Sequence, residues 1–293
     1  SGKIVLAGEF ESVGGVPVKN LCVVDVSAGG FRVEPVAFDG LVTPNHADGL
    51  RVDGVSSMLY LNFGLEKDDP RVRHNGHGGE ENEAAVDFLR TLNVKLSAEF
   101  PGVMMIAEES SAWPQVTWPP ESGGLGFHYK WDMGWMNDTL RYCETDFPYR
   151  PHAHSLLNFS MMYAFSENFI LPLSHDEVVH GKKSLIGRMP GDWWRQFAGL
   201  RLLWLYLLTH PGGKLCFMGG EFGQFIEWRE YESLEWFLLS YDTHAGLQRF
   251  VRDACRLYRR EKSLWEQDHG WEGFQWLDAD DAAESVLAYR RRA

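Results

Sequence analysis

Asp48-Gly49-Leu50-Arg51-Val52-Asp53-Gly54-Val55-Ser56-Ser57-Met58-Leu59-Tyr60 is the stretch on which the reading of this chain turns. It reads as an apolar strand that ends in an acid and runs through a glycine into a helix. Arg51 and Asp53 are two residues apart, so an extended backbone sends both side chains to one face. A guanidinium beside a carboxylate keeps that carboxylate ionised and oriented, as a nucleophile or a ligand clamp requires. The same spacing also serves an ordinary ion pair, and this stretch alone leaves both readings open.

Downstream, the strand–loop–helix grammar repeats. A Gly- and His-rich loop over residues 67–79 leads to a helix whose stripe is Ala85, Phe88, Leu89, Leu92 and Leu96, stopped at Pro101-Gly102. Val103–Ala107 is an apolar run of buried-strand length ending at Glu108-Glu109. A long loop rich in Trp, Pro and Gly spans residues 110–135, and helical stretches are expected around Thr139 and over 155–165. Asn168–Leu173 is the next strand, ending at Ser174-His175-Asp176-Glu177. The helix over 191–208 is apolar nearly all round, which predicts packing on several sides, and strand 214–218 follows. The last helix carries Leu247, Phe250, Val251, Ala254, Leu257 and Tyr258, and residues 274–289 read as a β-hairpin turning at Asp278–Asp281.

Three apolar strands thus end in acids: Asp53, Glu108 and Asp176, the last beside His175. Alternating strands and helices predict a parallel sheet whose C-terminal strand ends open on one face, as in the (β/α)8 TIM barrel. The separations fit units of about 31 residues, so all three acids are expected to face one cleft. Carboxylates converging in an aromatic-rich cleft suit glycosidic chemistry, one as nucleophile and one as proton donor.

The motifs carry a family likeness. Asp48–Tyr60, Ile106–Ser110, Gly123–Trp135 and Leu171–Lys182, continued by Phe217–Gln224 and Gly273–Asp278, resemble bacterial 1,4-α-glucan branching enzymes of the α-amylase superfamily. The resemblance covers about residues 48–293, and the second pair of blocks is particular to branching enzymes. It implies Asp53 as nucleophile, Arg51 as its orienting partner, Glu108 as acid/base and Asp176 as third carboxylate beside His175. Trp131 and Trp135 are expected to stack on sugar rings, with core packing as the alternative. The implied reaction is retaining transfer of an α-1,4-glucan chain to a 6-hydroxyl, with glycogen or a similar glucan as partner and no cofactor or metal.

Residues 1–47 depart from that pattern. They read as a Val-rich antiparallel meander, with Leu41–His46 only superficially like the family's upstream motif. His46 lies too close to Asp48 for a strand–helix crossover. The expected organisation is therefore a β-rich segment (1–47), a partial (β/α) barrel lacking its first strands (48–262) and the beginning of a C-terminal β domain (263–293). An inactive glucan-binding fragment and an amylase-type hydrolase are the alternatives to a branching enzyme.

Composition excludes other classes. A net charge of −13 repels phosphate backbones and anionic membrane surfaces, so neither nucleic acid nor membrane is an expected partner. The 12 Trp and 18 Phe lean toward sugar binding or a large core. Four scattered cysteines without a C-x-x-C, and no leader-like N-terminus, predict a cytoplasmic protein with reduced thiols. His74, His77, His152 and His154 lack the partners of a metal site, and Gly123–Gly126 lacks the Lys-Ser/Thr of a phosphate cradle.

Overall fold

The computed structural model describes residues 48–293, together with the backbone of five strands within residues 1–47. These are β1 (Lys3–Ala7), β2 (Ser12–Val13), β3 (Val16–Pro17), β4 (Leu21–Asp25) and β5 (Arg32–Pro35). β4 pairs antiparallel with both β1 and β5, and β2 with β3. The proposed motif at Leu41–His46 lies outside the described residues, as does the Cys22 side chain. The chain forms two compact units, Ser1–Tyr129 and Lys130–Ala293.

In the first unit, β6 (Gly49–Val52) and β7 (Met104–Ala107) pair in parallel, in a register running from Gly49↔Met104 to Val52↔Ala107. A parallel pair needs a long crossover. It is made through α1 (Val55–Leu59), the 61–82 loop and α2 (Glu83–Glu99). Asn82 caps α2 by accepting from the Ala85 amide at 3.3 Å. The buried stripe of α2, Val86, Leu89 and Leu96, joins Val55, Leu59, Met105, Ala107, Leu125 and Phe127 in one core. The helix stripe expected from sequence is thus present, shifted to Val86 in its first turn.

β8 (Tyr129–Trp131), which enters the second unit at Lys130, β9 (Phe169–Leu173) and β10 (Gly213–Cys216) are parallel, with β9 between the others. β8 was not foreseen: three residues inside a long Trp- and Gly-rich segment give too short a pattern to read. α3 (Met133–Glu144), α4 (Trp193–Thr209) and α5 (Asp242–Arg260) supply the helical layer. Their core includes Trp135, Leu140, Leu171, Leu173, Phe197, Leu200, Leu203, Trp204, Leu207 and Leu247. α4 packs this way on one side only, leaving Trp194, Leu202 and Leu205 exposed, so the expectation of packing on several sides is corrected.

The chain ends in the antiparallel hairpin of β11 (Phe274–Asp281) and β12 (Val286–Arg291). Asp278–Asp281 belongs to β11, so the reversal falls at residues 282–285 rather than in the acidic run. Arg291 fastens the hairpin: it donates to the Thr209 and Gly273 carbonyls at 2.9 and 3.1 Å and pairs with buried Asp268. Among the described residues Cys143, Cys216 and Cys255 are free thiols, and no helix is long and apolar enough to cross a membrane.

Two buried groups of the second unit contribute to its acid response in opposite directions. His210 donates from Nδ1 to the Pro211 carbonyl (2.9 Å) and accepts at Nε2 from the Ser160 hydroxyl (3.1 Å). Burial pushes it down to about 3 from its ordinary 6.5. The unfolded chain therefore gains a proton that the fold refuses as pH falls from 6.5 toward 3, and stability drops with it. Asp132, buried at the N-cap of α3, is pushed up to about 6 by burial against an ordinary 3.8. Its contribution is full below 3.8 and is lost as pH rises through 6. Asp132→Asn keeps an acceptor for the Trp135 amide. It is expected to raise stability at pH 7.5 by about 1–3 kcal/mol and to leave it unchanged near pH 3.5, measured by urea unfolding. Equal changes at both pH values would contradict this account.

Candidate active site

The register of β6 on β7 places the first two acids. The ladder continues one step past Val52↔Ala107, because the Glu108 amide donates to the Val52 carbonyl at 2.9 Å. Asp53 and Glu108 therefore leave the pair side by side. Beyond Asp53 the backbone enters the left-handed region at Gly54 (φ 59°, ψ 34°), which favours glycine, and α1 begins at once. The Val55 amide at its start donates to the Glu108 carbonyl at 2.9 Å, tying the turn back to β7.

Arg51 completes the group. Its Nη1 contacts Asp53 Oδ1 at 3.3 Å and also donates to Glu108 Oε2. Asp53 is open, its side chain 78% exposed, whereas Glu108 is 19% exposed. One guanidinium nitrogen thus neighbours an accessible carboxylate and a recessed one.

Glu109 turns the other way, into the interior, and is fully buried. Its Oε1 accepts from Ser56 Oγ (2.7 Å), the Ser111 amide (2.7 Å) and Ser111 Oγ. Ser56 Oγ in turn accepts from the Ser110 amide at 2.8 Å.

In the second unit β9 ends at Leu173, and Ser174 caps the short 3-10 turn His175–Val178. Buried Glu177 closes a capping box: its Oε2 accepts from the Ser174 amide (2.7 Å) and Oγ (2.6 Å), while Ser174 Oγ accepts from the Asp176 amide at 3.2 Å. His175 Nε2 and Asp176 Oδ1 are 3.4 Å apart and partly exposed. The His175 ring lies near Phe217 and edge-on to Trp228, with centroids 5.9 and 6.1 Å away. The loop after Val178 is pinned by Glu227, which accepts from the Gly181 and Lys183 amides at 3.0 and 2.6 Å; these two donors hold its carboxyl below the ordinary range.

Two expected sugar-stacking residues have no ring face open for that role. Trp135 is 1% exposed within the core, stacked on Tyr206 at 6.0 Å, and Trp131 is buried as well. This corrects the stacking expectation in favour of core packing, since a sugar needs a solvent-facing ring. Asp132, one step past β8, is a strand-end acid that sequence reading passed over. The β-prone Tyr-Lys-Trp before it was the available signal. It caps α3 and accepts from the Tyr163 hydroxyl at 3.1 Å. Among the described residues no cluster of three His, Cys, Asp or Glu side chains could hold a metal ion.

These are the features of an α/β protein with parallel strands that present acids at their carboxyl ends. No protein-family model matches the chain. Curated relatives do. The 1,4-alpha-glucan branching enzyme of Halothermothrix orenii is 59% identical over 247 residues, 84% of this chain and 39% of the relative. Those of Aquifex aeolicus and Marinobacter nauticus are 56% and 55% identical, with the same coverage of each chain. Over 84% of its length the chain is similar to curated 1,4-α-glucan branching enzymes, and it spans about two-fifths of the length of those relatives. Among solved structures, a maltogenic amylase from S. marinus superposes with a TM-score of 0.48 at 14% identity, covering 82% of this chain and 28% of that one.

The capping box is expected to carry the stability of the Asp176 turn. Glu177→Ala strips the acceptor from the buried Ser174 amide and hydroxyl and should destabilise the protein by about 1–3 kcal/mol in urea unfolding. Asp176→Asn, on a partly exposed side chain, should stay within about 0.5 kcal/mol of the parent.

Proposed function

We propose that this chain carries the catalytic chemistry of α-glucan branching, within a fold of the (β/α)8-barrel type. Asp53 is the nucleophile, Glu108 the acid/base and Asp176 the third carboxylate, with Arg51 orienting Asp53 and His175 contacting substrate. The observation that carries the reading is the contact of Arg51 with both Asp53 and Glu108. Two carboxylates within reach of one nitrogen suit the ~5–5.5 Å separation of retaining pairs.

The steps follow from that arrangement. The Asp53 carboxylate attacks the anomeric carbon of an α-1,4-linked residue while Glu108 gives its proton to the departing 4-oxygen. The bond between that carbon and oxygen breaks, and a glycosyl ester forms on Asp53. Glu108, now ionised, takes the proton of a 6-hydroxyl on a second glucan; that oxygen displaces Asp53 and closes an α-1,6 linkage. Proton delivery from Glu108 requires its resting contact with Arg51 to open, leaving the guanidinium on Asp53.

A second reading has one observation in its favour. Asp53 is 78% exposed, so water can also resolve the ester, which would give an amylase-type hydrolase. Incubating the protein with amylose separates these readings. New α-1,6 linkages, scored by NMR or debranching, are expected from the parent, with a loss of roughly 10⁴-fold in Asp53→Ala. Reducing sugar without branches would support the hydrolase. Glycogen binding that is unchanged in Asp53→Asn, without turnover by the parent, would leave only a glucan-binding role.

A further inference from the structure

The buried carboxyl group of Glu109 is unused by this chemistry, yet it sits where the two reacting side chains are fixed. Isolated buried carboxyl groups are expensive, so one that is fully enclosed is kept only where its hydrogen bonds hold something in place. Through Ser56 it grips the first turn of α1, three residues past Asp53. Through the Ser111 amide and hydroxyl it grips the chain leaving β7, three residues past Glu108. Ser56 Oγ closes the link by accepting from the Ser110 amide. The Val55 amide, adjoining Ser56, in turn meets the Glu108 carbonyl.

We propose that Glu109, acting through Ser56, is a positioning residue that clamps the Asp53 turn to the Glu108 strand end and so sets the spacing of the two carboxylates. The proposal rests on the roles given above to Asp53 and Glu108. The link is specific in its geometry. Glu109 and Ser56 stand on opposite sides of the β6–β7 junction, and each bonds to backbone or side chain of the other's segment. Asp53 and Glu108 share one guanidinium nitrogen of Arg51, and the Asp53 side chain is largely in solvent. A misplacement of about 1 Å at a reacting centre lowers turnover about 10²-fold, so the clamp acts on rate rather than on glucan affinity.

Amylose branching by Glu109→Ala and Ser56→Ala, per molecule of folded protein, should show kcat lowered about 10²-fold with KM within about threefold. Glu109→Gln, which keeps an acceptor oxygen, should recover most of kcat. Deuterium exchange gives an activity-independent readout. The Val55 and Glu108 amides should exchange at least about tenfold faster in Glu109→Ala, relative to the amides of α2. The proposal is overturned if kcat is retained, if the loss falls on KM, or if the two amides exchange as in the parent. Should the parent form no branches, the function proposed above fails instead, and the exchange at Val55 and Glu108 still decides the clamp.

Discussion

The parallel register between β6 and β7 is the constraint on which the candidate site depends. Because Val52 faces Ala107, the next residues on each strand are Asp53 and Glu108, and neither needs a long side chain or a special loop to meet the other. A slip of one residue would turn both acids to opposite faces, since successive strand side chains alternate. That slip is opposed on both sides. Leu50, Val52, Met105 and Ala107 face a core shared with Leu59 and Leu89, and on the polar side Arg51 gathers the two carboxylates.

Each unit solves the same local problem in its own way. A strand that ends in an acid must stop abruptly and leave backbone amides satisfied. After β6 the chain uses a left-handed glycine and a helix start, so Ser57 Oγ donates to the Gly54 carbonyl at 2.7 Å. After β9 it uses a capping box, in which Glu177 spends its carboxyl on Ser174 so that the adjoining His175 and Asp176 remain available. In both places a buried acid follows a more exposed one in sequence, Glu109 after Glu108 and Glu177 after Asp176. Aromatic packing then stiffens the surroundings of the second turn, where Phe217 and Trp228 stand against His175 and each other.

Most of the strand and helix order was legible in the sequence, because the patterns that announce it are long. β7, β9, α2, α4 and α5 each extend over enough residues for an apolar stripe or run to stand out. The misses have the opposite character. β8 is three residues long, the hairpin reversal is shifted by the acidic residues that extend β11, and the open side of α4 carries the same Trp and Leu that a buried helix would. Hydrophobicity says that a residue favours burial; it does not say whether a partner is there to bury it.

By itself the sequence determined the grammar of strand ends: which acids follow apolar runs, that Arg51 shares a face with Asp53, and that the motif blocks resemble those of branching enzymes. These are one-dimensional facts, carried by alternation and by local residue identity. Only the tertiary structure decided that Arg51 reaches Glu108 as well as Asp53, that Glu109 is enclosed by Ser56 and Ser111, and that Trp135 fills a core instead of facing a sugar. The reason is physical. Contacts between segments more than fifty residues apart depend on the register of one strand against another, and that register is set by packing of the whole core rather than by any stretch of chain alone.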